Sequence, residues 1–488
     1  MKKLELIDYF FHPKNVALIG MSRNLMGPSG MILSNILKGE YKGPLYLVNK
    51  SIEAGKKILG LPVKRKLEEI DSELDLAFVI VPSRSVPEVL EDCGKQNVKA
   101  VVIISSGFGE SVDYDAEKLV LQDQIIRIAR KNGFVFAGPN CNGVWSDAVS
   151  LNAIFGPRVH NLSGHISYVT RGGTAGVFAM IETRVRGIGV TKFLNLGDSA
   201  GLKIQDLIEY YGQDSETKVI GVYSEGGGGQ DIIQIAKEVT KIKPVVVYKS
   251  GVTDAGRRAA LSHVGAIAGE YSDKIFEGVV KQAGLIPADS IDELVDICTA
   301  FLITNIPKGR KIGILTPAGS LGVMATDAMV KYGGLNVAPL PPEIIAKINH
   351  MLPEYWSHNN PIDVTDSMNF TVFTRIVKML LQHDNFDGLL LLLGDFGDTR
   401  GKYVDFGLLD ANYEVMIQYI KENVRKMRRY IEKSEKPVFF LGEFGGNDEL
   451  QKYLRTHKIL VLPEFRRIAR TFSALVEWYE HSKKVQLD

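Results

Sequence analysis

The 488-residue chain sets 58 Lys+Arg against 57 Asp+Glu, a net charge of +1, with 45% hydrophobic and 24% charged residues. This is the composition of a globular chain with room for about three domains, and its balance of charge gives no case for nucleic acid or an anionic membrane surface as partner. Cys93, Cys141 and Cys298 are its only cysteines, with neither CxxC nor zinc-ligand spacing, which predicts a reducing, cytoplasmic setting and no metal site.

The N-terminal stretch "MKKLELIDYFFHPKNVALIG" has acidic Glu5 and Asp8 close behind its lysines and too short an apolar run for a signal peptide. No apolar run approaches the roughly 20 residues that cross a bilayer. Short strand-like runs then alternate with helical patterns: "NVALIG", "PLYLVNK", "LDLAFVIVP", "KAVVIISSG" and "FVFAGPN", with "GMILSNILKG" and "VPEVLEDCGKQN" between them. Alternation of this kind predicts an α/β fold with a parallel sheet covered on both faces. The first unit, residues 1–148, reads as a Rossmann-like, mononucleotide-binding domain.

A second series, residues 149–305, contains "GHISYVTRGG", "VTKFLNLGD", "TKVIGVYSEGG" and "KPVVVYKSG". "TNIPKGRK" follows as a linker, and residues 306–488 repeat the strand, glycine loop and helix order from "KIGILTPAGSLGVMATDAM" onward. The basic segment "KENVRKMRRYIEK" is helical in period and reads as a solvated face. In every unit the strands end in Gly, Asn, Asp or Ser, so ligand loops should collect at their carboxyl ends.

The first such loop, "VALIGMSRNLMGPSG", has the strand, tight turn and helix that hold a pyrophosphate, but not GxGxxG spacing. The second strand ends at Asn49 and Lys50 where an NAD site wants Asp or Glu. Lys50, with Arg23 beside the turn, suits a phosphorylated ribose, as in coenzyme A or NADP. "TRGGTAG" is a second strand-to-helix turn: Thr170, Gly172, Gly173 and Thr174 would offer N–H groups and hydroxyls to a phosphoryl group.

His263 stands in "GRRAALSHVGAIAGE" among Ala259, Ala260, Ser262, Gly265 and Ala266. Such small neighbours pack a core histidine poorly but let main chain and ligand approach, and a neutral imidazole is a nucleophile at neutral pH. Glu225, at the end of "VYSE", could accept a hydrogen bond from the other ring nitrogen or be an exposed loop carboxylate. The helix "YSDKIFEGVVKQAG" after the histidine loop sets Ile275, Phe276, Val279 and Val280 on one face, with Gly284 as C-cap.

These motifs resemble the NDP-forming acyl-CoA synthetases, relatives of succinyl-CoA synthetase. "AALSHVGAIAG" is similar to that family's active-histidine segment, "VALIGMSRN", "VVIISSGFGE" and "AGPNCNGV" to its CoA-binding domain, and "TRGGTAG" to its phosphate-binding helix start. "TPAGSLGVMATDAM" with "NNPIDVT" resembles the extra domain of the ADP-forming acetyl-CoA synthetase branch, so the likeness runs through nearly the whole chain. The resemblance implies two flavodoxin-like ligase domains after the CoA-binding domain and the reaction acyl-CoA + ADP + phosphate ⇌ acid + CoA + ATP, through an acyl phosphate and a phosphohistidine.

By position, the resemblance makes His263 the phosphorylated histidine and Glu225 its steadying carboxylate. It places Gly20, Ser22, Arg23, Asn49, Lys50, Pro82, Ser106, Gly107 and Glu110 in the CoA site. Where the family often has Ser-Gln-Ser-Gly, this chain has Thr170-Arg171-Gly172-Gly173, one serine hydroxyl lost and an arginine gained. Nothing after residue 300 resembles an ATP-grasp unit. The implied protein is therefore an α subunit, with ADP/ATP and Mg²⁺ on a separate ATP-grasp β subunit in an α2β2 assembly. An NADP-type dehydrogenase would leave the His263 loop and "TRGGTAG" without a role. A CoA-binding regulatory protein with a vestigial histidine is the non-enzymatic alternative.

Overall fold

The computed structural model describes the chain apart from Met1, Ala54, residues 109–115, Asn161, residues 226–229, Arg257, residues 260–272, 366–368, 393–409, 443–452, 455–456, Lys458 and Asp488. It divides into two compact units, one of residues 1–184 and 188–294, the other of residues 185–187 and 295–488. Three sheets, mostly parallel, run through them in chain order.

The first sheet contains β1 (Val16–Ile19), β2 (Leu45–Val48), β3 (Lys57–Ile58), β4 (Leu61–Lys64), β5 (Leu76–Val79), β6 (Ala100–Ile103) and β7 (Val135–Ala137), in the order β3-β4-β2-β1-β5-β6-β7. Its central strands VALI, LAFV and AVVI are buried at every residue, as helices on both faces require. Only β3 and β4 are antiparallel.

The second sheet belongs to the same unit. It contains β8 (Gly143–Ser146), β9 (Leu151–Ile154), β10 (Ile166–Thr170), β11 (Val190–Asn195), β12 (Val219–Ser224), β13 (Val245–Lys249) and β14 (Ile286–Ala288), in the order β14-β13-β12-β10-β11-β8-β9. The β8–β9 hairpin is the departure from the strand pattern read in the sequence. It follows the first sheet directly in the chain, yet β8 pairs antiparallel with β11.

One continuous core joins these two sheets, with Leu18, Leu47 and Val102 on one side and Val169, Leu194 and Ile220 on the other. The helix Lys3–Phe11, which sequence reading did not extract, belongs to this core through fully buried Ile7, Phe10 and Phe11. Phe11 stacks on Tyr210 with ring centroids 5.4 Å apart, and the Tyr210 hydroxyl donates to Asp8 at 2.7 Å.

The second unit holds β15 (Ile312–Thr316), β16 (Ile362–Asp363), β17 (Gly388–Leu391), β18 (Val438–Leu441) and β19 (Leu460–Leu462), all parallel in the order β16-β15-β17-β18-β19. The basic segment read as a solvated face lies in the helix Asp410–Lys433, which also has a buried side that the reading did not include. Val424, Met427 and Ile431 recur at spacings of three and four and enter the core, while charged residues take the other side. No helix among the described residues is long and apolar enough to cross a membrane.

Candidate functional site

In a parallel sheet, loops that leave the carboxyl ends of neighbouring strands in opposite directions open a crevice. Both sheets of the first unit do this, and their crevices form one cleft of about 800 Å³. The first sheet contributes residues 80–83 after β5 and 104–106 after β6; the second contributes 171–175 after β10, Gly197 and Asp198 after β11, and Tyr223 and Glu225 at the end of β12.

Of the residues singled out in the sequence, Pro82, Ser106, Gly172, Gly173, Thr174 and Glu225 line this cleft. Gly20, Ser22, Arg23, Asn49, Lys50 and Gly107 do not. Gly20 turns the chain at φ +94°, where an added Cβ would lie 2.3 Å from the Ile80 carbonyl oxygen, so only glycine fits this crossing. Asn49 closes the turn after β2: its amide donates to the Met21 carbonyl at 2.7 Å and its side-chain oxygen accepts from the Ser51 N–H at 2.7 Å. Lys50 points to solvent and pairs with Glu88 at 3.3 Å. Ser22 accepts from the Asn24 N–H, an ordinary turn contact. His263 and Glu110 lie outside the described residues.

Thr170 is fully buried beneath the cleft, its hydroxyl accepting from Asn195 Nδ2 at 3.2 Å. The helix Gly173–Val185 starts beyond it, so the free N–H groups of its first turn face the cleft at Gly173 and Thr174. At Gly172 an added Cβ would lie 2.6 Å from both Glu225 Oε1 and Tyr223 Cε1. The missing serine is thus part of the packing: its space is filled by the Tyr223–Glu225 pair. The Tyr223 hydroxyl donates to Glu225 Oε1 at 3.0 Å and is 2.9 Å from Ser250 Oγ, which fixes the carboxylate at the strand end.

Sequence reading missed Asn195, which ties three loops together. Fully buried at the end of β11, its Nδ2 donates to the Thr170 and Arg171 carbonyls at 3.0 and 2.9 Å, and its Oδ1 accepts from the Asn142 N–H at 2.6 Å. The available signal was the Asn itself, a polar residue closing the apolar strand run of "FLNLGD".

Cys141 also lines the cleft, but burial pushes its thiol pKa up to about 12, so almost no thiolate is present at neutral pH. Cys93 is fully buried and shifted upward for the same reason, and Cys298 is buried too. All three should stay unmodified by Ellman's reagent in the native protein and react promptly in denaturant. A thiol titrating within seconds in the native chain would contradict this. Among the described residues no cluster of three or more His, Cys, Asp or Glu could hold a metal ion.

A cleft between two α/β sheets, one with a strand-turn-helix at Gly20 and one with a helix start at Gly173, is the frame of a ligand site at the carboxyl ends of parallel strands. Family models match the chain segment by segment: a CoA binding domain over residues 14–147, a succinyl-CoA ligase like flavodoxin domain over 163–301 and a ligase-CoA domain over 312–399. The α subunit of ADP-forming acetate–CoA ligase II of Pyrococcus furiosus is 35% identical over 388 residues, 79% of this chain and 82% of that one. The α subunit of ligase I from the same organism is 33% identical over 486 residues, 98% and 99% of the two chains. The chain therefore belongs to the ADP-forming acetate–CoA ligase family. Acetyl-coenzyme A synthetase 1 of Ca. Korarchaeum cryptofilum, solved with phosphate and ADP, superimposes with a TM-score of 0.83 at 29% identity, over 100% of this chain and 99% of that one.

Proposed function

We propose that this chain is the α subunit of an ADP-forming acyl-CoA synthetase and carries the acyl-transfer and histidine-phosphorylation steps. The carrying observation is the cleft itself, in which the strand ends of the CoA-type sheet face the helix start at Gly172–Thr174 and the carboxylate of Glu225. Pro82 and Ser106 border the thioester side, and the N–H groups at Gly173 and Thr174 receive phosphate on the other. Held there, a phosphate oxygen attacks the thioester carbonyl carbon; the C–S bond breaks and CoA leaves as the thiol, taking up a proton. A ring nitrogen of His263 then attacks phosphorus, the P–O bond breaks and the free carboxylate departs. Glu225 accepts a hydrogen bond from the other ring nitrogen and stabilises the positive charge that develops. Transfer to ADP breaks the P–N bond and regenerates the histidine.

This last step belongs to a partner. Two relatives of similar length are named as α subunits, which supports a second chain; we assign it the ATP-grasp fold, ADP/ATP and Mg²⁺, in an α2β2 enzyme of the cytoplasm. Within this chain the proposed domains are residues 1–148, 149–305 and 306–488.

Incubating the chain with acetyl-CoA and phosphate should yield an acid-labile, alkali-stable phosphoryl adduct by intact-mass analysis, with release of CoA. No adduct across a panel of acyl-CoAs, despite CoA binding, would sink this reading in favour of a CoA-binding regulator.

A further inference from the structure

Arg171 belongs to no site that the sequence motifs assign, yet its guanidinium is poorly satisfied within the cleft. The residue is 8% exposed and lines the cleft next to the helix start. Among the described residues its enclosed Nε has no hydrogen-bond partner, and its one side-chain hydrogen bond runs from Nη2 to the Asp198 carbonyl oxygen at 3.5 Å, the outer limit for such a contact. It closes no ion pair among the described residues. The main chain, by contrast, is firmly held: its N–H donates to the Tyr223 carbonyl at 3.1 Å and its carbonyl accepts from Asn195 at 2.9 Å.

A guanidinium has five donors in a rigid fork and stays protonated, so enclosing one with a single marginal bond is costly unless an anion completes it. The carboxylates of Asp198 and Glu225 influence it electrostatically but form no close pair with it. Its chain position fixes which anion fits. It is bonded to Gly172, so its fork and the N–H groups of Gly173 and Thr174 belong to one turn. The space a serine side chain would take at 172 is filled by Tyr223 and Glu225.

We propose that Arg171 is an anion-binding residue for the phosphoryl group, its fork holding the oxygens of phosphate, and then of the acyl phosphate, against the helix start. It takes over the work of the serine hydroxyl that Gly172 lacks. The inference deepens the phosphate step proposed above and rests on it, but the binding test does not require turnover. A second source of the same chemistry is a carboxylate at the far end of a dicarboxylic acyl group.

Calorimetric titration of the full-length chain with inorganic phosphate should show affinity falling about 10- to 100-fold in Arg171→Gln, with partial recovery in Arg171→Lys, which keeps the charge but not the fork. CoA binding is read in parallel to confirm that each variant is folded. Phosphate affinity unchanged in a CoA-binding Arg171→Gln overturns the proposal. Loss confined to succinyl-CoA, with acetyl-CoA and phosphate unaffected, also overturns it and assigns the arginine to a distal carboxylate. If phosphate affinity falls as expected but the wild-type chain forms no phosphoryl adduct, the anion site stands and the reaction proposed for the chain fails.

Discussion

His263→Ala takes up no phosphoryl group from acetyl-CoA and phosphate, and Glu225→Gln takes it up about 100-fold more slowly. The alanine variant removes the only nitrogen assigned to receive phosphorus. The acyl phosphate should still form, since the proposal assigns the thioester and phosphate to Pro82, Ser106, Gly173 and Thr174 and not to His263. The alanine variant should therefore release CoA once, and hydroxylamine should trap the acyl phosphate. The glutamine variant keeps the shape of Glu225 and its contact with Tyr223 but removes the charge that favours an imidazolium during transfer. A glutamine variant phosphorylated at the wild-type rate would show that Glu225 does not face the histidine. An adduct persisting in His263→Ala would move the phosphorylation to another residue.

In the second unit the largest expected effect is at Asp296, a fully buried carboxylate shared by two arginines. Its Oδ1 accepts from Arg186 Nε at 2.8 Å and Arg467 Nη2 at 2.9 Å, and its Oδ2 accepts from Arg467 Nε at 2.6 Å. The side chains of Asp296 and Arg186 are 0% and 1% exposed. Asp296→Ala takes the carboxylate from two guanidiniums, one of them cut off from water, and should cost about 3–5 kcal/mol. Urea unfolding followed by circular dichroism measures this, and Asp296→Asn, which keeps an acceptor, should lose less. A loss below about 1 kcal/mol would mean that water or neighbouring groups satisfy both arginines.

The strand runs were legible because fully buried parallel strands are nearly continuous in Val, Ile, Leu and Ala: VALI, LAFV, AVVI and VVVYK are easily read. The hairpin Gly143–Ser146 and Leu151–Ile154 was not, because "GVWSDAVSLNAI" mixes polar with apolar residues, and pairing with β11 is set by tertiary contacts that no local period records. The cleft was legible in part for a similar reason. Glycines and hydroxyls at strand ends mark candidate ligand loops, and Gly172 and Thr174 line the cleft, as does Glu225 at the end of β12. The same signal cannot separate a residue facing a ligand from one holding a turn, and Asn49 and Lys50 prove to have turn and surface contacts. Asn195 and Arg171 carry their meaning in burial, which composition alone does not reveal.

The helix Lys3–Phe11 and the hairpin strand Gly143–Ser146 bear on how such proteins can be recombined. A chimera that exchanges only residues 14–147 for those of a relative would leave Phe10 and Phe11 of the host lodged against a foreign interior. It would also import a β8 obliged to pair with the host's β11. The compact unit that contains both sheets and their shared core is residues 1–184 and 188–294. Acyl-group preference is therefore better grafted by changing loops at the strand ends than by swapping the CoA-binding segment as a cassette.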